Sequence, residues 1–300
     1  MQRLKGINQA GYFHVYFPSI PRSRFDHSLG VYFLLKKYGA SHEEQISGLV
    51  HDLSHGTFSH CLDYIFEEED QREQNHQDNI FESFINKTDI PGILSKHGLN
   101  INDIIDDKKF PLKETILPDL CADRIDYALR DAWSYTICSS EDISYILKHL
   151  IVKDKKRVFI DIASAKLFAE LFYKVNEYMT CIESAAMLQA VGDCLKYAWQ
   201  QGYLNADDFY TTDTQVLEKI TAHIESDKQL SMHWQRMNNK IPYKNDPNDF
   251  DHHIFCKSRI IDPLFMDGDI LRRISEVDNE WKTIVQIKMS PREYFLKFEK

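Results

Sequence analysis

Histidines and carboxylates crowd one stretch of this 300-residue chain. It reads Arg24-Phe25-Asp26-His27-Ser28-Leu29-Gly30 and then, one helix later, His51-Asp52-Leu53-Ser54-His55-Gly56-Thr57-Phe58-Ser59-His60. Imidazole nitrogens and carboxylate oxygens are donors for first-row divalent ions, and imidazole also carries protons near neutral pH. A single histidine on an apolar helix is ordinarily a hydrogen-bonded core residue. Four histidines and an aspartate in consecutive helices are another matter, because each buried polar group would need a partner. Helical periodicity around His27, and again from Glu43 to Ser54, puts apolar residues at i, i+3 and i+4 and sets His51 and His55 on one face. His51 and Asp52 diverge by only about 100° on such a helix, so both reach an ion placed off that edge.

Further carboxylates recur downstream. Asp119, Asp123, Asp126, Tyr127 and Arg130 form a polar stripe at helical spacing, with Leu120, Ile125, Ala128, Leu129 and Trp133 opposite. An acidic stripe turned inward needs a cation, and on the residues alone Asp119 and Asp123 are nearly equal candidates for another ligand.

These motifs, together with Gln2-Arg3-Leu4-Lys5, Gln9, Phe17-Pro18 and Asp123-Arg124-Ile125-Asp126-Tyr127 through Arg130-Asp131, resemble those of HD-domain phosphohydrolases. Within that superfamily the chain is most similar to the deoxynucleoside triphosphate triphosphohydrolase branch that includes the mammalian SAM-and-HD-domain enzyme. The resemblance covers the first half of the chain and is far weaker in the second. It implies a divalent metal (Fe, Mn, Ni, Co, Zn or Mg) on His27, His51, Asp52 and Asp123, two imidazoles and two carboxylates that leave room for water and a phosphate oxygen. It also implies proton transfer by His55, His60 and His76, with Asp63 one turn after His60 to orient that ring. Gln9 and Asp131 are expected at the substrate, with Arg24, Arg124 and Tyr127 on its phosphate oxygens.

The reaction so implied is hydrolysis of a nucleotide phosphoester, in its specific form dNTP to deoxynucleoside plus triphosphate. One departure supports an alternative. Where that branch places Arg, Lys, His and Tyr side chains, this chain has Asn176-Glu177-Tyr178-Met179-Thr180-Cys181, which favours nucleoside monophosphates or another small phosphoester. Gln77 also stands where a Glu often follows the proton-donating histidine. A low-turnover nucleotide-sensing protein is the alternative from a different class.

The fold expected is mainly α, an HD-domain helical bundle with a small β-hairpin and a minor C-terminal α+β appendage. Residues 1–200 form the core, with the metal site inside 24–131, and 201–300 are a helical and α+β extension packed on it. The elements that must position the site are an amphipathic turn at Leu4–Ala10, a Pro-broken segment over the site, and helices at His27–Lys37, Glu43–Ser54, Ser59–Phe66 and Gln74–Ile85. Ser41-His42-Glu43-Glu44 is a credible helix start, and Glu67–Asp70 reads as a solvated loop. Beyond these come a hairpin across Leu150–Ile160, one or two helices over Ser164–Gln201, and helices at Asp213–His223 and Lys228–Asn238. His252 and His253 fall in a hydrophilic loop. The tail reads as a strand at Ile254–Ile261, a turn at Asp267-Gly268, a helix at Ser275–Ile287 and a last strand at Tyr294–Phe298.

A net charge of −10 argues against an extended nucleic-acid surface, which needs clustered Lys and Arg. Six cysteines without C-x-x-C pairing fit a reducing cytoplasm, with Cys121 in a packing role. No apolar run reaches the roughly 18 residues that span a bilayer. Relatives assemble as dimers or higher oligomers, so the resemblance admits a homo-oligomer. Met1-Gln2-Arg3-Leu4 begins inside a motif that relatives precede with another segment; either a naturally short N-terminus or a start assigned downstream of the true one is expected.

Overall fold

The computed structural model describes residues 1–66 and 74–299; Glu67–Asp70, expected as a loop, lie outside the described residues. Helix starts follow side-chain chemistry. The Ser23 hydroxyl accepts from the Asp26 amide to open α1 (Arg24–Lys37), and Ser41 does the same for Glu44 at α2 (His42–Val50). Three further helices follow, α3 (His76–Ile85), α4 (Ile90–Lys96) and α5 (Ile101–Ile104). Helix α6 (Ala122–Ser134) starts on the Cys121 thiol, and α7 (Ser140–His149) on a reciprocal Ser139–Asp142 capping box.

The hairpin β1 (Leu150–Lys153) and β2 (Lys156–Phe159) leads into two long helices, α8 (Ile162–Met179) and α9 (Ile182–Gln200). Next come α10 (Asp213–Thr221), α11 (Lys228–Met237), β3 (Tyr243–Asn245), β4 (His252–Cys256), β5 (Leu264–Asp267), β6 (Ile270–Arg273), α12 (Asn279–Lys288) and β7 (Arg292–Phe298). The protein is mainly α-helical with small sheets. Among the described residues, no helix is long and apolar enough to cross a membrane.

One sheet ties the last hundred residues to the rest, and a second is formed wholly within them. In the order β1-β2-β5-β6, Val158 and Phe159 pair in parallel with Leu264 and Phe265. In the order β3-β7-β4, His252 and His253 pair with Leu296 and Phe295, so these histidines belong to a strand rather than to the expected loop. Long-range register with β7, invisible locally, makes the difference. Below the sheets the apolar faces merge. Val31 and Leu35 of α1, Ile125 and Ala128 of α6, and Phe168 and Phe172 of α8 share one buried cluster with Phe265. Another joins Phe58, Leu62 and Tyr64 to Val191 and Leu195 of α9 and to Ile254 and Leu296.

Two expected helices around the histidines take another form. Helix α2 stops at Val50, and His51–Ser54 continue as turns closed by Leu53 N–H to Val50 O (3.1 Å) and His55 N–H to Asp52 O (3.1 Å). Ser59–Tyr64 is a 3₁₀ helix, entered through left-handed backbone at Phe58 (φ 56°) and Ser59 (φ 53°). Tertiary bonds impose that path. Thr57 N–H donates to the Phe209 carbonyl and Phe58 N–H to Asp213 Oδ1, both at 2.8 Å. The expected turn at Leu4–Ala10 is a 3₁₀ helix at Gln2–Gly6, and the segment expected as one strand to Ile261 leaves the sheet after Cys256.

Helices α1 and α6 meet at Gly30, and no side chain fits there. A Cβ at Gly30 would lie 1.8 Å from Asp126 Oδ1 and 2.5 Å from an Arg130 guanidinium nitrogen. Gly30→Ala is expected to lower stability by about 1–3 kcal/mol, the usual cost of overpacking. Urea denaturation checks it; an unchanged midpoint would disprove the close approach.

Candidate metal centre and active site

Three donor atoms converge where α1, the turn after α2 and α6 meet. His27 Nε2 lies 2.8 Å from Asp123 Oδ1 and 3.3 Å from His51 Nε2, and His51 Nε2 lies 3.5 Å from Asp123 Oδ1. Asp52 flanks this group, with Oδ1 3.4 Å from His51 Nε2 and Oδ2 4.0 Å from His27 Nε2. Around one ion, bonds of about 2.1 Å put neighbouring ligand atoms about 3.0–3.4 Å apart, so the spacing suits a single divalent cation. The outer nitrogens of both rings are committed elsewhere. His51 Nδ1 faces the Gly48 carbonyl and His27 Nδ1 faces Asp126 Oδ2, each at 2.7 Å. Donation through Nδ1–H leaves both Nε2 lone pairs aimed at the common point, the usual support of metal-binding histidines.

Electrostatics agree with the geometry. Burial opposes a charged His27, yet Asp123 and Asp126 outweigh it and hold its pKa up at about 10. Burial would likewise raise Asp52, but Arg24 and the three histidines around it pull it far below the usual carboxylate range. His55, buried and near Arg24, is pushed well below the ordinary imidazole value. The cage therefore favours positive charge at its centre. These donors fit a divalent metal, the cofactor of this centre, which supplies Lewis-acid chemistry when bound.

From the cage a cavity of about 1090 Å³ opens outward. Of the expected site residues it is lined by Gln9, Arg24, His27, His51, Asp52, His55, His60, Asp123, Arg124, Tyr127 and Asp131. Asp63 and His76 lie behind this surface. Asp63 Oδ2 is 3.3 Å from His60 Nδ1, and its Oδ1 accepts the His76 amide at 3.0 Å. The His76 ring stacks on Phe66, with Nε2 3.0 Å from the Tyr210 hydroxyl. Arg24 is already engaged, donating to Ser59 Oγ (2.7 Å), Asp52 Oδ2 (2.8 Å) and the Gln9 carbonyl (3.2 Å). Asp119 does not reach the cage. It precedes α6 and pairs with Arg273 and Lys156, whereas Asp123 of the same segment faces His27 and His51.

Some residues at the site had no role in the expectations. Asp126, three positions after Asp123, holds His27 and accepts from Arg130 Nε at 2.6 Å. The signal was its place on the acidic stripe. Arg22 forms a buried ion pair with Asp131 and donates to the Tyr135 hydroxyl at 3.2 Å. Burial lifts the Asp131 carboxyl to about 6 even against this arginine. Lys257 and Arg259 arrive from the far end of the chain, and Met179, Met187 and Leu188 supply an apolar wall.

The fold and the donor cage together define a metal-dependent hydrolase, and comparison with known proteins gives it a family. The HD domain model matches residues 24–131. The Bacillus subtilis protein YdhJ is 36% identical over 270 residues, 89% of this chain and 82% of that protein. The metal-dependent phosphohydrolase cns2 of Cordyceps militaris is 36% identical over 151 residues, half of this chain and 43% of its own. A Dictyostelium discoideum homolog of the deoxynucleoside triphosphate triphosphohydrolase SAMHD1 is 26% identical, covering 72% of this chain and 46% of its own. The chain thus spans less than half of these last two proteins. A crystal structure of a phosphohydrolase from Bacteroides thetaiotaomicron shares the fold over the whole of this chain and 93% of its own, with a TM-score of 0.67 at 19% identity. The chain belongs to the HD-domain family of metal-dependent phosphohydrolases.

Proposed function

We propose that the substrate is a nucleotide and the reaction is cleavage of a dNTP to deoxynucleoside and triphosphate. The observation that carries this reading is the cage at one end of a cavity whose other walls mix cations with aromatic and apolar side chains. Its volume of about 1090 Å³ is at the upper end for small-molecule sites. Likeness to a triphosphohydrolase of this family adds support.

In this reading His27, His51, Asp52 and Asp123 hold the metal. Arg24, whose guanidinium is braced by Ser59 and Asp52, and Arg124, held by Glu114 (3.3 Å) and the Thr115 carbonyl (3.1 Å), present N–H donors to phosphate oxygens together with Tyr127. Gln9 Oε1 is buried with no hydrogen-bond partner among the described residues, an unused acceptor that suits a sugar hydroxyl. Asp131 takes another sugar hydroxyl. Water adds to the α-phosphorus and gives up a proton to solvent, the bond to O5′ breaks, and the electron pair leaves on that oxygen. His60, oriented by Asp63, delivers a proton from Nε2 to O5′, with His55 beside it at a ring distance of 5.1 Å.

A monophosphate or other small phosphoester remains the second reading, favoured by one observation. The α8–α9 wall offers Met179, Ser184, Met187 and Leu188 to the cavity and no cation. Product analysis with dNTPs, NTPs and nucleoside monophosphates, each with Mn²⁺, Mg²⁺, Fe²⁺ or Ni²⁺, decides between them. Deoxynucleoside and triphosphate in equal amounts are expected. Orthophosphate released from monophosphates alone would replace this reading with the second.

A further inference from the structure

After β4 the chain runs extended with alternating burial. Cys256, Ser258 and Ile260 turn inward, while Lys257 and Arg259 are half-buried and both line the cavity. Such a period of two sends the two cations from the same side of the backbone. The segment is pinned. Arg259 N–H donates to Oδ1 of Asn176, a buried residue of α8, at 3.0 Å, and the Ser258 hydroxyl donates to the Lys288 carbonyl.

Arg259 differs from the other arginines of the cavity. Arg22 has Asp131, Arg24 has Asp52 and Arg124 has Glu114 as a carboxylate partner. Among the described residues, Arg259 has only a 3.4 Å contact with the Lys257 carbonyl of its own loop. A partly desolvated guanidinium that is held on a fixed backbone, faces the cavity and has no carboxylate partner among the described residues is placed to receive an anion by paired N–H donors.

We propose that Arg259, with Lys257 beside it, binds the phosphate groups of the substrate beyond the scissile phosphorus and so selects nucleotides carrying more than one phosphate. This rests on the nucleotide reading and supplies the cations that the α8–α9 wall lacks. Calorimetric titration with inorganic tripolyphosphate and with orthophosphate, on wild type, Arg259→Gln and Arg259→Lys, tests it, with melting curves to establish folding. Arg259→Gln is expected to weaken tripolyphosphate about ten- to a hundred-fold, the weight of a charge-assisted contact, and Arg259→Lys to recover part of it. Orthophosphate affinity stays within about two-fold. Equal tripolyphosphate affinity in wild type and folded Arg259→Gln overturns the inference, even where wild type hydrolyses triphosphates. Arg259-dependent tripolyphosphate binding in a protein that hydrolyses no nucleoside triphosphate upholds the inference and retires the dNTP reading instead.

Discussion

Asp123→Ala is expected to lose its metal and at least about a thousand-fold of hydrolytic rate, since Asp123 Oδ1 faces both His27 and His51 at the centre of the cage. The loss has two parts. One donor disappears, and the two imidazoles keep their positions without the carboxylate that balances charge between them. Elemental analysis after gel filtration reads the first part directly. Thermal unfolding reads both, because an ion that binds only the folded chain stabilises it by mass action. At a hundred times its dissociation constant the ion contributes about 2.7 kcal/mol, or about 4 °C in a protein of this size. Chelation should therefore lower the melting temperature of wild type by that amount and leave Asp123→Ala unmoved. An Asp123→Ala protein that retains one equivalent of metal would remove this residue from the cage.

His60→Ala is expected to reduce kcat by about 10²- to 10⁴-fold while metal content stays at the wild-type level, the usual range for one positioned proton donor. The structure ranks the candidates for this role. His60 lines the cavity and is braced from behind by Asp63, whereas His76 lies under the surface with its Nε2 against Tyr210. His76→Ala should accordingly cost less than His60→Ala, since it removes the ring against Tyr210 and Phe66 and keeps the backbone N–H that residue 76 donates to Asp63. Asp63→Asn tests the bracing separately, since it keeps the shape of the side chain and withdraws its charge. If His76→Ala proves more damaging than His60→Ala under saturating metal, the proton-transfer assignment moves to His76 and the ring must reorient when substrate binds.

How far the chain could be read without coordinates depended on distance along it. His27, His51, Asp52 and Asp123 were visible because donor residues at tight spacing are unusual, and three of them lie within 26 positions. Asp119 competed with Asp123 only while its partners were unknown. Arg273 and Lys156, 154 and 37 positions downstream, settle where Asp119 points. Residues 51–54 were read as the end of a helix because they carry helical periodicity, and the bonds that bend the chain just beyond them, at Thr57 and Phe58, come from Phe209 and Asp213. His252 and His253 looked like loop residues because hydrophilic neighbours surround them, and only their pairing with β7 makes them a strand. Lys257 and Arg259 had no local signature at all; their meaning depends on Asn176 and on a cavity built mostly by the first half of the chain.

The parallel pairing of β2 with β5 carries a consequence for biosynthesis. His27, His51, Asp52 and Asp123 all precede position 131 and leave the ribosome early, long before Leu264 and Phe265 can join Val158 and Phe159. Until then the part of the cavity wall supplied by Lys257 and Arg259 has not been made. Loop closure over more than a hundred residues also makes this contact among the slower ones to form. Competence thus arrives last, so an interrupted translation product with a complete set of ligands would still lack the finished chamber.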